Sequence, residues 1–447
     1  MKTTGKIYIS SALMEKLEIP PQPAVQVRAG NIVATAKLAV KTSSRKTYLL
    51  SPKLANTLFI RKHKRLQIRY DKERNMLHLG PIIGILTNFL PNKEEFSPKS
   101  LQAELIFLSN IGKTLPAQVF VFTPQSINWS NSTVKGHVYR QISADKGIWV
   151  SSTYPLPDVV YDRISNRSSE SKKFNASTKK KLMNLPYTEY FNPFFLNKWK
   201  VYQMLTAEPK LLPHLPETRQ LNVENLAEML SKYKTLYLKP ANGSMGRGII
   251  KIRHSKNSAL HYTVYKTRKI RGRADNVNEF WKKTKTYRKN KQYIVQQGID
   301  FATYNGCNFD IRIIYQKNAR GEWQISKKFV RVAPRGSSIS NLSSGGRVEK
   351  NIKVFRRLYK KQGLIEEINA QIKELCRTVA LTLEKNSQAV FGELGLDIGM
   401  DEKGSPWLIE VNSKPRKTTE TEFSQTIVRN TFKRPLQYAI HLAGFSN

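Results

Sequence analysis

Carboxylates are scarce in this chain. Only 33 Asp and Glu stand against 75 Lys and Arg, a formal charge of +42 over 447 residues. Such a field attracts polyanions and steers anionic ligands, so nucleic acid, anionic cell-wall polymers, acidic polypeptides and a membrane surface are candidate partners. The dense basic runs fall at 61–69, 172–181, 266–273 and 282–291. That dispersal argues against one element reading a base sequence, and a sequence-specific nucleic-acid role is not expected. General solubility would explain the same excess. Cysteine is nearly absent: Cys307 and Cys376 have neither disulfide nor metal spacing, which suits a reducing cytoplasm. MKTTGKIYISS carries no apolar signal core, and no apolar run approaches the roughly 20 residues of a membrane helix.

What is present reads as a folded α/β protein. Hydrophobic residues make up 40% and aromatics 10%, and the length predicts two to four domains. The first 80 residues hold an internal repeat: IYISSALMEKLEI and YLLSPKLANTLFI align with Ser10 on Ser51 and Leu13 on Leu54. Each unit predicts strand, serine-capped short helix, strand, and two such units resemble a double-psi β-barrel. Residues 81–150 predict an α/β layer, with GPIIGIL and AQVFVFT as strands around a helix at 98–112. The polar stretch 162–181 predicts an exposed basic loop. Helices are expected in 195–230 around LLPHLPET. A long one at 362–386 has Leu364, Ile368, Ile372, Leu375, Val379 and Leu383 as its buried stripe. A terminal helix would anchor through Phe423, Ile427, Ile440 and Leu442.

Residues 391–415, FGELGLDIGMDEKGSPWLIEVNSKP, predict a β-hairpin around DEKGSP. With a loop at 401–406, Met400 would pair with Trp407 and Asp397 would lie opposite Glu410. Asn412 shares Glu410's face. Two carboxylates and one amide oxygen form a set that hard cations such as Mg²⁺ accept, completed by substrate phosphates; a solvated hairpin would show the same alternation. Upstream, LYLKPANGSMGRGIIKI places Lys239 at the end of a strand before Gly243, Ser244, Gly246 and Gly248. Glycines allow close backbone approach to phosphate and the lysine adds a point charge. The spacing is not that of a P-loop or a Rossmann fingerprint.

Taken in order, Lys239, the loop 242–248, YIVQQGI, NFDIRIIY, an arginine followed by NLSSGG, and GLDIG…LIEVNSKP resemble an ATP-grasp core. GPIIGIL, FNPFFLNKWKVYQML and the C-terminal hairpin resemble, more closely, the YheC/YheD family of endospore coat-associated ATP-grasp proteins. The resemblance implies an α/β (α+β) ATP-grasp fold at 191–447 preceded by a small α/β domain at 80–190, while the internal repeat marks 1–79 as a β-rich domain. It implies that ATP is held by Lys239, by Lys200 (with Lys198 as the alternative), by Gly243, Ser244, Gly246 and Gly248, and by a hinge of Gln296, Gln297 and Ile299. Many ATP-grasp proteins have an acidic residue at the first hinge position, where this chain has glutamine. Asp397, Glu410 and Asn412 would hold Mg²⁺, or Mn²⁺. Arg312, Arg331 and Asn341 are expected on the substrate side, and Lys414 is placed to reach a phosphate.

The chemistry so implied is carboxylate–amine ligation through an acyl phosphate, on a substrate expected to be anionic and small or polymeric. The location would be cytoplasmic or in the spore coat, with coat proteins as partners. Two other readings stay open: a polyanion-binding coat protein on an ATP-grasp scaffold, and an ATP-dependent kinase.

Overall fold

The computed structural model describes the chain except for residues 1–2, 61–65, 91–100, 144–145, 244–245, 255–258, 267, 290, 338–344, 419–423 and 446–447. Among the described residues, four sheets follow one another along it.

The first is built from β1 (Lys6–Ser10), α1 (Ser11–Lys16), β2 (Ala24–Ala29), β3 (Ile32–Lys41), β4 (Tyr48–Leu50), α2 (Pro52–Thr57), β5 (Gln67–Asp71) and β6 (Met76–Gly80). The repeat is visible in its caps: the Ser10 hydroxyl accepts from Leu13 N–H and the Ser51 hydroxyl from Leu54 N–H. Strand order is β4-β1-β3-β2-β6-β5. Among the described residues no strand pair closes β4 onto β5. The Tyr48 hydroxyl, donating to the Leu66 carbonyl at 2.8 Å, spans that opening.

The second sheet uses β7 (Ile82–Leu86), α3 (Leu101–Lys113), β8 (Gln118–Phe122), β9 (Ile127–Asn128), β10 (Thr133–Gln141), β11 (Gly147–Pro155), β12 (Val159–Asp162), α4 (Arg167–Glu170), α5 (Lys173–Met183) and β13 (Glu189–Phe191). β8, β7, β12 and β13 are parallel neighbours. Their runs are buried on both faces, as parallel strands require. Ile82, Leu86, Phe120 and Phe122 face the N-terminal sheet, while Ile83, Ile85, Val119 and Val121 face α3 and the C-terminal helix. The stretch 162–181 is no loop. It folds as α4 and α5 because Lys179 turns inward, pairing with Asp162 at 3.0 Å and Glu170 at 2.7 Å. Its polar composition reflects buried ion pairs as well as solvent.

The third sheet comprises α6 (Lys198–Leu205), β14 (Thr218–Gln220), α7 (Val223–Lys232), β15 (Thr235–Pro240), β16 (Ile249–His254), β17 (Leu260–Tyr265), β18 (Lys269–Ala274), α8 (Val277–Arg288) and β19 (Tyr293–Gln297), in strand order β14-β19-β15-β16-β17-β18. One face is apolar. Leu236, Leu238, Ile250, Ile252 and Val264 pack against α7 and α8 through Leu226, Met229 and Phe280.

The fourth holds β20 (Thr303–Tyr304), β21 (Cys307–Lys317), β22 (Trp323–Val332), β23 (Arg347–Glu349), α9 (Asn351–Tyr359), α10 (Gln362–Ser387), β24 (Glu393–Met400), β25 (Pro406–Asn412) and, returning to the second sheet, α11 (Gln425–Leu442). On α10 Ile368, Ile372, Leu375, Val379 and Leu383 are buried; Leu364 is only partly so, and Ile365 takes its place. Both cysteines are core residues, and burial pushes the Cys376 thiol up to about 12. α11 anchors through Val428, Phe432, Leu436 and Ala439; Ile427 is exposed and Phe423 lies outside the described residues.

A buried ionic cluster joins the second and fourth sheets. Glu393 on β24 accepts from Tyr161, from Arg163 at 2.8 Å, from Gln316 at 2.9 Å and from Lys417 at 2.8 Å. Arg163 also pairs with Glu104 of α3. Removing one partner of such a cluster strands the others without water. Glu393→Ala is therefore expected to destabilise the protein by about 3–5 kcal/mol. Urea denaturation checks this, and Glu393→Gln should recover part of the loss.

Candidate functional site

The third and fourth sheets meet at a cleft with about 470 Å³ of empty space, open to solvent. From the third sheet come Lys239 on β15 and Ile294 and Gln296 on β19; from the fourth come Leu408, Ile409, Glu410 and Val411 on β25. α6 contributes Lys198, Val201, Tyr202 and Leu205, and the segment after it Leu215, Pro216 and Thr218. One end is charged; the other is an apolar slot.

The hairpin brings Asp397 opposite Glu410, but not through the expected loop. Met400 pairs with Pro406 and Gly399 with Trp407, and a bulge near Asp397/Ile398 shifts the register by one residue. The extra residue restores the Asp397–Glu410 pair. Asn412 lies opposite Gly395 on the next same-face step. Strand parity also holds on β21 and β22, with Asp310 opposite Arg331 and Arg312 opposite Phe329.

This pairing concentrates charge. Arg312 bonds one oxygen of Asp397 and Arg331 the other at 2.9 Å, while Arg331 also forks onto Asp310. Burial would raise the Asp397 carboxyl, but Arg312 and Arg331 outweigh it and hold it below the usual carboxylate range. The guanidiniums are thereby fixed in place, as forked pairs are. Among the described residues no three His, Cys, Asp or Glu side chains form a ready-made cage for a metal ion. The donor set of Asp397, Glu410 and Asn412 fits a hard cation that takes its remaining ligands from phosphate and water. A carboxylate retains acceptor positions after one hydrogen bond per oxygen.

On the facing side Lys239 donates to Gln296 Oε1 at 2.5 Å, and Gln296 Nε2 donates to Thr218 at 2.9 Å. Burial lowers Lys239 to about 8, against partial compensation from Glu410 and Asp397. Lys198 donates to Glu410 at 2.9 Å and to the Gly243 carbonyl at 2.7 Å, tying the glycine loop to β25.

Three expectations need correction or relocation. Lys200 is exposed, and Lys198 lines the cleft instead. Asn197 caps α6, and two helical steps put Lys198 and Lys200 roughly 200° apart. Gln297 spans away from the slot: its N–H donates to Glu217 O at 2.8 Å and its side chain accepts from Glu217 N–H at 3.0 Å. β14 pairs with Ile294, Val295 and Gln296 of β19, and Ile299 lies two residues past the end of that strand. Lys414 is buried between Asp162 at 2.7 Å and Glu170 at 2.8 Å, so in this structure it braces the hairpin. In the loop, Gly246 and Gly248 take φ of 70° and 78°, which favours glycine. Gly243 N–H and Gly248 N–H are taken by Pro240 O and Tyr265 O. Ser244 and Asn341 lie outside the described residues.

The apolar slot was missed in the sequence. Its signal was the spacing Val201, Tyr202, Leu205 on α6 followed by Leu215 and Pro216, an apolar stripe that continues past the helix end. If Lys198 holds the phosphate end, Lys198→Ala should weaken nucleotide binding by about tenfold while Lys200→Ala leaves it unchanged. Calorimetry on the two variants checks this.

The chain is similar to known proteins. The YheC/D like ATP-grasp family profile matches residues 187–442. The endospore coat-associated protein YheD of Bacillus subtilis (strain 168) is 30% identical over 424 residues, 93% of this chain and 90% of the relative. YheC of the same organism, also endospore coat-associated by name, is 27% identical over 354 residues, 78% and 95% of the two chains. Among solved structures, D-alanyl-alanine synthetase A from Vibrio cholerae O1 aligns with a TM-score of 0.46 at 13% identity, covering 82% of this chain and 98% of that one. No helix among the described residues is long and apolar enough to cross a membrane. With the family profile covering its C-terminal half and YheD aligned along almost its whole length, the chain belongs to the YheC/D like ATP-grasp family.

Proposed function

We propose that the cleft binds ATP with Mg²⁺ and joins a carboxylate to an amine. The observation that carries this is the convergence of Lys239 and Lys198 on the Asp397–Glu410 pair, with Arg312 and Arg331 held beside it. Phosphoryl transfer asks a protein for positioning and charge neutralisation rather than a nucleophile, and cations fixed by carboxylates supply both. The apolar slot suits the adenine ring, and Lys239, with Lys198 beside it, the phosphates. Asp397, Glu410 and Asn412 would hold the ion, which neutralises phosphate charge when bound.

In the proposed reaction a substrate carboxylate oxygen attacks the γ-phosphorus and ADP leaves. The amine nitrogen then attacks the acyl carbon, its proton is lost, and inorganic phosphate departs. Arg331 and Arg312 orient the carboxylate and offset its charge. The names of the two relatives extend the proposal to a spore-coat setting with coat proteins as partners.

The test is hydroxylamine trapping with ATP, Mg²⁺ and a panel of carboxylates. A hydroxamate formed with stoichiometric phosphate supports ligation, and ¹⁸O from the carboxylate should appear in that phosphate. A stable phosphate ester without hydroxamate would make the protein a kinase and overturn the reading.

A further inference from the structure

The segment 235–274, which runs from β15 to β18, contains ten Lys and Arg and not one Asp or Glu. A nucleotide needs only a few of those charges. Register decides where they go. In the antiparallel ladder Tyr237 pairs with Lys251, Lys251 with Thr263 and Thr263 with Arg271; Arg253 pairs with His261 and His261 with Arg273. The apolar partners between them face α7 and α8. Side-chain alternation therefore puts Lys251, Arg253, His261, Lys269, Arg271 and Arg273 on the open face, the face that carries Lys239. Arg253, His261, Lys269, Arg271 and Arg273 are exposed, and Lys251 is half-buried.

Strands lie about 4.8 Å apart, so this surface reaches roughly 14 Å from β18 to Lys239. Two nearby carboxylates, Asp275 on Arg273 at 3.2 Å and Asp300 beside Lys251, leave it strongly positive. β18 is the outer strand, with Ile270 and its neighbours exposed, and among the described residues no strand covers its free edge.

We propose that this face is a binding track for an acidic polypeptide in extended form, continuous with the cleft. Lys269, Arg271 and Arg273 repeat every second residue, about 6.8 Å, which is the spacing of same-side carboxylates on an extended chain. A free edge strand also accepts such a chain by backbone pairing. Single-stranded nucleic acid is the weaker match because its binding uses exposed aromatic platforms, and on this face Tyr237 is half-buried and Tyr265 buried. The track itself stands on charge and topology. That the bound polypeptide is the substrate rests on the ligase reading.

The experiment measures binding of a fluorescent oligoglutamate of about ten residues, which spans the track at about 3.4 Å per residue. Three proteins are compared: wild type, Lys269→Gln/Arg271→Gln/Arg273→Gln, and Arg356→Gln/Arg357→Gln/Lys373→Gln. The last removes the same charge from exposed positions on α9 and α10. The track predicts about tenfold weaker binding in the first variant and no more than about twofold in the second. Mg²⁺–ATP affinity in both serves as the fold control. Equal weakening in the two variants, no binding by wild type, or tighter binding of an oligothymidylate of equal charge to the same face would overturn the proposal. Track-specific oligoglutamate binding by a protein that does not bind ATP would uphold the track and remove the ligase reading alone.

Discussion

Glu410→Gln and Asp397→Ala should both lower turnover by about 10³-fold or more, yet only the second should loosen the fold. The shared loss follows from chemistry: each carboxylate is a proposed ion ligand, and a phosphoryl-transfer site deprived of charge neutralisation forfeits most of its rate. The difference follows from burial. The Asp397 side chain is 9% exposed and ties down Arg312 and Arg331; that of Glu410 is 24% exposed and faces Lys198. Removing Asp397 leaves guanidinium charge buried with one partner fewer, which costs about 3–5 kcal/mol when a buried pair is broken. Removing Glu410 frees a lysine that water can reach, a change of about 1 kcal/mol or less. Reading the hairpin as a metal site alone predicts that both variants keep full stability. Urea midpoints measured beside steady-state rates separate these accounts, and equal midpoints would contradict the structural role of Asp397.

Lys239→Met should weaken ATP binding by about 30- to 160-fold, the worth of charged hydrogen bonds to phosphate at about 2–3 kcal/mol. Its pH dependence is the sharper signature. Burial lowers the free lysine to about 8, so the phosphate-binding cation is present below that pH and lost above it. Wild-type affinity should fall about tenfold between pH 7 and pH 9, and Lys239→Met should show no such fall. The folding linkage has the opposite sign. The folded lysine gives up its proton before the unfolded one does, near 10.5, so its contribution to stability rises across that interval. Lys239→Arg should bind with a flat profile over the same range, since a guanidinium stays charged.

The hairpin was legible because its period is two and its partner residues are chemically distinctive. The pairing of Asp397 with Glu410 was reached through a loop one residue too long, and the bulge beside Ile398 compensates for the difference; its trace in the sequence is the break in alternation between Leu408 and Val411. Lys198 and Lys200 could not be separated in sequence: both flank Trp199, and only the Asn197 cap sets the phase of α6. Buried Lys179 sits in a segment that read as surface and buried Lys414 in one that read as a phosphate site, since a charge paired in the interior has the same letter as one in water or on a ligand. Gln297 was misjudged for a related reason: Glu217, which claims its edge, stands just before the three-residue β14 in a stretch that carries no periodic signal. The long helix α10 was readable because many apolar positions vote for one period, and β7 because its apolar run is unbroken.

The central claim is that this cleft is a working nucleotide site, and calorimetric titration of the folded wild-type protein with ATP in the presence of Mg²⁺ tests it most directly. Micromolar, 1:1 binding that weakens above pH 8 is the predicted result. A folded protein that takes up no heat with Mg²⁺–ATP at any pH would contradict it.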